Sequence, residues 1–78
     1  MEFSKQPIRF LSKHLNEKIL VRLKGGEEYR GRMIGCDNHM NLILEDASYY
    51  CSEEPTTKYG SLIIRGSSID HIRVKEVE

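Results

Sequence analysis

The 78-residue chain is long enough for a single small domain, predicted over residues 1–78, and only 38% of its residues are hydrophobic. A chain of this size buries only about 60% of its unfolded surface, so an isolated copy is marginally stable and oligomerisation is expected to supply the rest. Twelve basic and twelve acidic residues cancel, which argues against indiscriminate coating of nucleic acid. No apolar run approaches the roughly 20 residues that a membrane span needs, so no membrane partner is expected.

The two cysteines, Cys36 and Cys51, do not lie in a close-spaced pair. This spacing argues against a disulfide framework and against a zinc site. Together with the lack of a secretory leader, it favours a reduced, cytoplasmic protein. We therefore expect no metal and no cofactor.

The first predicted element is a short helix at about residues 7–15. Pro7 suits the first helical turn, and Ile8, Leu11 and Leu15 recur at helical spacing to form one narrow apolar stripe. A helix of two to three turns is not stable alone in water. We therefore expect it to cover an apolar surface.

Five strands are predicted between about residues 18 and 75, because the hydrophobic period becomes alternating there. In the first strand, Ile19, Val21 and Leu23 point to one side while Arg22 and Lys24 point to the other. This alternation is typical of a half-buried strand.

The second predicted strand, residues 29–36, follows a tight turn at the two glycines 25–26. Gly31 and Gly35 lie inside it, and glycines within a strand commonly mark bends or bulges. Two of them predict a strand that curves sharply, as small barrels require.

The remaining strands are predicted from shorter apolar runs. The third covers about 42–51 and is followed by a polar loop at 52–57. Two short strands, 62–64 and 69–74, flank a turn at 65–68. The third strand follows a turn rich in Asp and Asn, residues that stabilise turns through their own backbone.

The predicted fold is mainly β: a short N-terminal helix followed by a strongly bent five-stranded antiparallel sheet, a small open barrel. The last two strands would be exposed edges, which must be covered or paired. Pairing the fourth strand of one subunit with the fifth strand of the next makes a ring when the rotation closes.

Two sequence blocks resemble the Sm and Sm-like (LSm) family. The block ILVRLKGGEEYRG at 19–31, continuing to GCDNHMNLIL at 35–44, is similar to the first family motif, and IIRG at 63–66 is similar to the second. The resemblance extends from about Pro7 to Val74. It is stronger to archaeal Sm-like proteins than to the bacterial host-factor branch, whose second motif differs.

The resemblance implies an RNA-binding, homo-oligomeric ring of Sm-fold subunits. A heptamer is expected, with a hexamer as the main competitor. The turns at 37–41 and 65–68 would face the central pore, where each subunit holds one base of a U-rich single strand. The implied role is in RNA processing, RNA stability or ribonucleoprotein assembly, with RNA-processing proteins as further partners.

The residues that match the family motifs have suitable chemistry for this role. Asn41 offers one acceptor and two donors, which can pair with O4 and N3–H of uracil. Asp37 is the candidate that fixes which end of the Asn41 amide carries the NH₂ group. His39 and Arg65 suit stacking on the two faces of the base, and Gly66 permits close approach of the backbone.

Two further parts of the family pattern match this sequence less closely. Ser67 stands where many archaeal-type members have an acidic residue or Asn, so any support that this position gives Arg65 is predicted to be weaker. A second RNA segment on the helix face would use Arg9 and His14, but solvated helix residues are the favoured interpretation of these two.

Other classes of function use the same residues differently. Taken alone, the turn at 37–39 is ordinary hairpin chemistry. An enzyme would need a nucleophile beside a base, but Cys36 and His39 lie only three residues apart across a turn and no nucleophile elbow or phosphate-binding glycine loop occurs. We therefore predict no catalysis. The alternative is a ring-shaped protein-binding scaffold with weak RNA affinity, which would not need Asn41 and Arg65.

Overall fold

The computed structural model describes residues 2–3, 11–51 and 54–74. These residues form one antiparallel sheet in the order β1-β6-β2-β3-β4-β5. The strands are β1 (Glu2–Phe3), β2 (Lys18–Leu23), β3 (Glu28–Cys36), β4 (Leu42–Cys51), β5 (Glu54–Ile64) and β6 (Ile69–Val74), with a 3₁₀ turn at Gly66–Ser68 between the last two. The prediction of a mainly β chain with five antiparallel strands is confirmed, and the two-residue strand β1 is an addition to it.

The sheet bends where β3 pairs with β4. The pairing register shifts between Arg30 and Arg32 and again between Met33 and Gly35, and each such bulge bends a strand and increases its twist. A Cβ atom on Gly31 would lie only 3.0 Å from Cα of Ala47, so the two strands approach closely at this glycine. The bends predicted at the two glycines of β3 are therefore confirmed.

The inner face of the bent sheet holds the core. Its buried side chains are Ile19, Val21, Met33, Leu42, Leu44, Ala47, Ile64, Ile69, Ile72 and Val74, and Leu11 joins them from the segment before β2. Leu11 has no exposed surface, as expected for a segment that covers an apolar sheet, whereas Leu15 is 39% exposed. The predicted place of Leu15 on the buried stripe is wrong. Of the helix predicted at about 7–15, residues 11–12 are helical and 13–16 form a turn, and the rest lies outside the described residues.

The strand β5 is much longer than its sequence predicts. The predicted loop at 52–57 is wrong for residues 54–57, because Pro55 pairs with Tyr50 and Thr57 pairs with Tyr49. All residues from Glu54 to Ser61 are exposed, so no alternation of apolar and polar residues marks this part of the strand. Pro55 is compatible with it because β5 is an edge strand, where one side of the backbone has no ladder to complete.

The two sides of the sheet end differently. β5 lies at one edge, as predicted. On the other side, β6 pairs with β2 through its inner edge, while its outer edge carries β1, with Phe3 opposite Ile72 and Glu2 opposite Arg73. No helix in the described part of the chain has the length and hydrophobicity that crossing a membrane requires.

Candidate nucleic-acid interface

Two turns that are distant in the sequence meet at one end of the sheet. The first connects β3 to β4, and the second follows β5. Together they line one hollow, whose walls are His39, Met40, Asn41, Arg65, Gly66 and Ser67. The structure therefore brings the predicted RNA-binding residues together, with Asp37 behind them.

The first turn is organised around the carboxylate of Asp37. Its Oδ1 accepts hydrogen bonds from the backbone N–H groups of His39 (2.8 Å) and Asn41 (3.0 Å), and its Oδ2 accepts one from Nδ2 of Asn41 (3.0 Å). The hydrogen bond from the Asn41 side chain has the largest effect and lowers the pKa of Asp37. Desolvation, the second-largest effect, opposes it, but the backbone hydrogen bonds of Asn41 and His39 lower the pKa further and the net shift is downward. Asp37 is therefore an ionised, acceptor-only group at neutral pH.

The amide of Asn41 is held at both ends. Nδ2 donates to Asp37, as above, and Oδ1 accepts a 2.8 Å hydrogen bond from the backbone N–H of Gly66. A flipped amide would place its oxygen against the carboxylate and its NH₂ group against the N–H of Gly66, so both contacts would become repulsive. One N–H of Nδ2 and one lone pair of Oδ1 remain available to a ligand.

Gly66 is required where the two turns touch. It is buried, and a Cβ atom at this position would overlap the carbonyl oxygen of His39. Sequence reasoning assigned the glycine to close approach between backbone and base. In the structure, Gly66 allows the two turns to approach each other closely, and this contact places the N–H of Gly66 within hydrogen-bond distance of Asn41.

The walls of the hollow are open to solvent. His39, Arg65 and Ser67 are exposed, whereas Met40 is partly buried and packs against the core. At the helix face, Arg9 lies outside the described residues, and Nδ1 of His14 is 3.2 Å from a carboxylate oxygen of Glu17.

Cys36 lies next to this site, immediately before Asp37. Burial of the thiol raises its pKa, and the negative charge of Asp37 raises it further. A reactive cysteine needs the opposite shift, because the thiolate is the nucleophile. The neighbourhood of Cys36 therefore does not activate it.

A second polar cluster was missed by sequence reasoning. Glu28 is buried, and its carboxylate accepts hydrogen bonds from Arg22 (2.6 Å) and Arg30 (2.7 Å). Desolvation, the largest single effect, raises the pKa of Glu28, but the two arginines outweigh it and the net shift is downward. The turn at the two glycines, 25–26, places Arg22 directly opposite Glu28. The register of this hairpin could therefore have predicted the Arg22–Glu28 ion pair from the sequence.

Comparison with known proteins gives consistent matches over nearly the whole chain. The family model of the LSM domain matches residues 9–74. An Sm-like protein of Thermococcus sibiricus is 40% identical over 75 residues, which cover 96% of this chain and 99% of the relative. The structure of the Pyrococcus abyssi Sm protein in complex with a uridine heptamer has a TM-score of 0.85 at 37% identity, covering 90% of this chain and 99% of that one. A heptameric archaeal Sm protein has a TM-score of 0.81 at 29% identity, covering 87% and 98%.

Proposed function

The chain belongs to the LSM domain family, and from this premise we propose that it is a subunit of a homo-oligomeric ring that holds U-rich single-stranded RNA at its central pore. The ring supports RNA processing, RNA stability or ribonucleoprotein assembly and has RNA-processing proteins as partners. Each subunit is a single domain. It acts without catalysis and in the cytoplasm, where the free thiols of Cys36 and Cys51 stay reduced.

The observation that carries this proposal is the fixed amide of Asn41. Its unused N–H and lone pair match the O4 acceptor and the N3–H donor of uracil. Cytosine presents the reversed pair, which only a flipped amide would match, and the contacts with Asp37 and Gly66 oppose that flip. Leaving such groups unpaired costs about 1–3 kcal/mol, which corresponds to a preference of about tenfold to a hundredfold for uracil at each subunit.

The other walls of the hollow supply sequence-independent affinity. His39 and Arg65 are exposed in the same hollow as Asn41, and an imidazole and a guanidinium can stack on the two faces of a base. Stacking contributes about 1–3 kcal/mol per base. Arg65 also brings a permanent positive charge to the phosphates, and Ser67 offers one hydrogen bond in place of an acidic group.

The β5 edge supports the ring. Ile43 and Ile63 face each other across β4 and β5, and they are 40% and 70% exposed. An apolar pair beside an unpaired edge is unstable in water and is typical of a surface that another subunit covers. The Pyrococcus abyssi protein with its uridine heptamer and the heptameric archaeal protein support a heptamer, and the outer edge of β6 in the next subunit is the expected partner of β5.

Ring assembly has one requirement inside the chain. The outer edge of β6 is paired with Glu2–Phe3, so β5 of a neighbour must replace this short strand. The strand β1 has only two residues and forms few hydrogen bonds with β6, whereas a longer partner can pair along all six residues of β6. The exchange therefore favours the longer intermolecular pairing.

Fluorescence anisotropy with labelled heptamers of uridine and cytidine tests the proposed function. The wild-type protein is expected to bind the uridine strand at least tenfold more tightly, and Asn41→Ala is expected to remove that preference. Wild-type protein that binds neither strand would contradict the proposal and favour the protein-binding scaffold.

A further inference from the structure

The outer face of the sheet contains a cleft that the pore site does not use. Its lining includes four cations from three strands, Lys18, Arg30, Arg32 and Arg73, together with Asp46 and Tyr50. One third of the twelve Lys and Arg residues of a chain with zero net charge thus line one cavity, beside a single carboxylate. This concentration of positive charge is a local feature that the composition conceals.

The strand pairing explains why these cations are adjacent. Ile19 and Val21 are buried in the core, so Lys18 and Leu20 of the same strand face outward. Lys18 pairs directly with Arg32, and Leu20 lies between Arg30 and Arg73 on its two neighbouring strands. Like charges directly opposite each other destabilise a sheet. Lys18 therefore adds positive charge directly beside Arg32, whose counter-ion in the chain is Glu45.

Arg30 is held flat against an aromatic ring at the side of this cleft. Its guanidinium carbon lies 3.9 Å from the ring centroid of Tyr50, and its Nε and Nη2 atoms are each 2.7 Å from Glu28. Glu28 also binds Arg22, so one carboxylate is shared by two arginines and a net positive charge remains. The oriented guanidinium offers its other face to a base, as arginine planes do in single-stranded RNA recognition.

Arg32 contributes a donor that lacks an acceptor. One of its terminal nitrogens pairs with Glu45, but its Nε is buried and has no hydrogen-bond partner within residues 2–3, 11–51 and 54–74. A buried donor without an acceptor is destabilising. A phosphate oxygen is a suitable acceptor, since guanidinium and phosphate form strong charge-assisted hydrogen bonds.

We infer that this cleft binds the phosphate backbone of the RNA strand where it continues beyond the pore, with the Arg30–Tyr50 stack as a platform for one base. The inference deepens the proposed function and rests on it. Arg32 lies four residues before the end of β3 at Cys36, about 13 Å along an extended strand, and the turn that carries His39 lies beyond that end, so only RNA longer than the pore segment reaches both sites. Ring pairing adds strands beside β5 and β6 within the sheet and leaves its outer face open.

The test compares two RNA strands on matched variants. One strand is a uridine heptamer, and the other is the same heptamer flanked on each side by about ten adenosines. The variant Lys18→Gln/Arg73→Gln removes two charges from the cleft, and the control Lys13→Gln/Lys58→Gln removes two charges elsewhere. Anisotropy at several salt concentrations gives both the affinity and its salt dependence, and native mass spectrometry shows whether each variant still forms the ring.

We expect the flanks to strengthen wild-type binding by about tenfold. The cleft variant should lose this gain and lower the slope of log K against log salt by about 1.4, since each phosphate contact on a single strand contributes about 0.7. Its affinity for the heptamer alone should be unchanged, and the control should behave like the wild type. If the double variant does not assemble, Lys18→Gln alone should lower the slope by about 0.7.

Three outcomes would overturn the inference: no gain from the flanks in wild-type protein, a full gain in the cleft variant, or an equal loss in the control. Failure of the pore function gives a different result, because the wild-type protein would then not bind the uridine heptamer. In that case only the binding of the flanked heptamer tests the cleft, and this binding must still depend on Lys18 and Arg73.

Discussion

The backbone N–H of Gly66 donates a 2.8 Å hydrogen bond to Oδ1 of Asn41, a residue 25 positions earlier in the chain. Asp37 binds the other end of the same amide. The orientation of Asn41 is therefore set by two residues that need not touch the RNA themselves. Under the proposed function, the choice between uracil and cytosine would depend on the packing of the two turns as much as on Asn41 itself.

Asp37→Asn should weaken base selection more than RNA affinity. An Asn at position 37 can donate as well as accept, so it no longer dictates which end of the Asn41 amide carries the NH₂ group. We expect the preference for uridine over cytidine to fall by at least about tenfold, measured as the ratio of the two heptamer dissociation constants. Asp46→Asn, an exposed substitution outside the hollow, should keep the wild-type ratio. An unchanged ratio in Asp37→Asn would show that Asp37 does not hold the amide.

The contribution of Asp37 to stability should depend on pH in one direction. Because its pKa in the folded protein lies below the ordinary value of 3.8, the ionised form stabilises the fold, and this contribution is fully present above that value. It is lost as the pH falls through the lower, folded pKa. The melting temperature of the wild type should therefore exceed that of Asp37→Asn by a constant amount at about pH 5 to 8. This difference should shrink below pH 3.8, and a difference that grows toward acid would contradict the assignment.

Gly66→Ala should damage both the fold and the site. The added methyl group would overlap the carbonyl oxygen of His39, and overpacking of this kind costs about 1–3 kcal/mol. The shift that relieves it would also move the N–H of Gly66 away from Asn41. Thermal unfolding should show a lower melting temperature, together with a reduced uridine preference. Gly60→Ala is the matched control, because a Cβ atom there meets nothing within 4 Å, and equal effects of the two substitutions would exclude a specific clash.

Ile63→Lys should prevent or weaken ring assembly without unfolding the subunit. Ile63 is 70% exposed in the single chain, so a lysine there costs little until a neighbour covers it. Burying an Ile side chain contributes about 1.5–3 kcal/mol, so each interface should weaken by about tenfold to a hundredfold. Light scattering after size exclusion measures the change in mass. Leu15→Lys, a comparable change at a residue away from the β5 edge, should leave the ring intact, and an intact ring in Ile63→Lys would remove Ile63 from the interface.

Sequence reasoning succeeded where one face of a strand is buried. Ile19 and Val21 alternate with polar residues, so β2 and its inner face were predictable. The same reasoning failed for the first part of β5, because residues 54–61 are exposed on both faces and leave no periodic signal. Leu15 has helical spacing from Leu11, but the chain turns at residues 13–16 and carries Leu15 away from the core.

Within the site, the predictable contacts were the local ones. Asp37 and Asn41 lie four residues apart in one turn, and their chemistry alone predicted that the carboxylate holds the amide. The hydrogen bond from Gly66 and its close approach to His39 depend on how the ends of β3 and β5 meet in space. That arrangement is set by the bulges in the sheet, so no local pattern contained it.

Native mass spectrometry of the purified protein with short oligouridine and oligocytidine measures ring size and base preference together. We expect a closed ring, most simply a heptamer, that binds oligouridine at least tenfold more tightly than oligocytidine. A stable monomer would contradict the pairing of β5 with a neighbouring β6. A ring that binds both strands equally would contradict the role of the Asn41 amide.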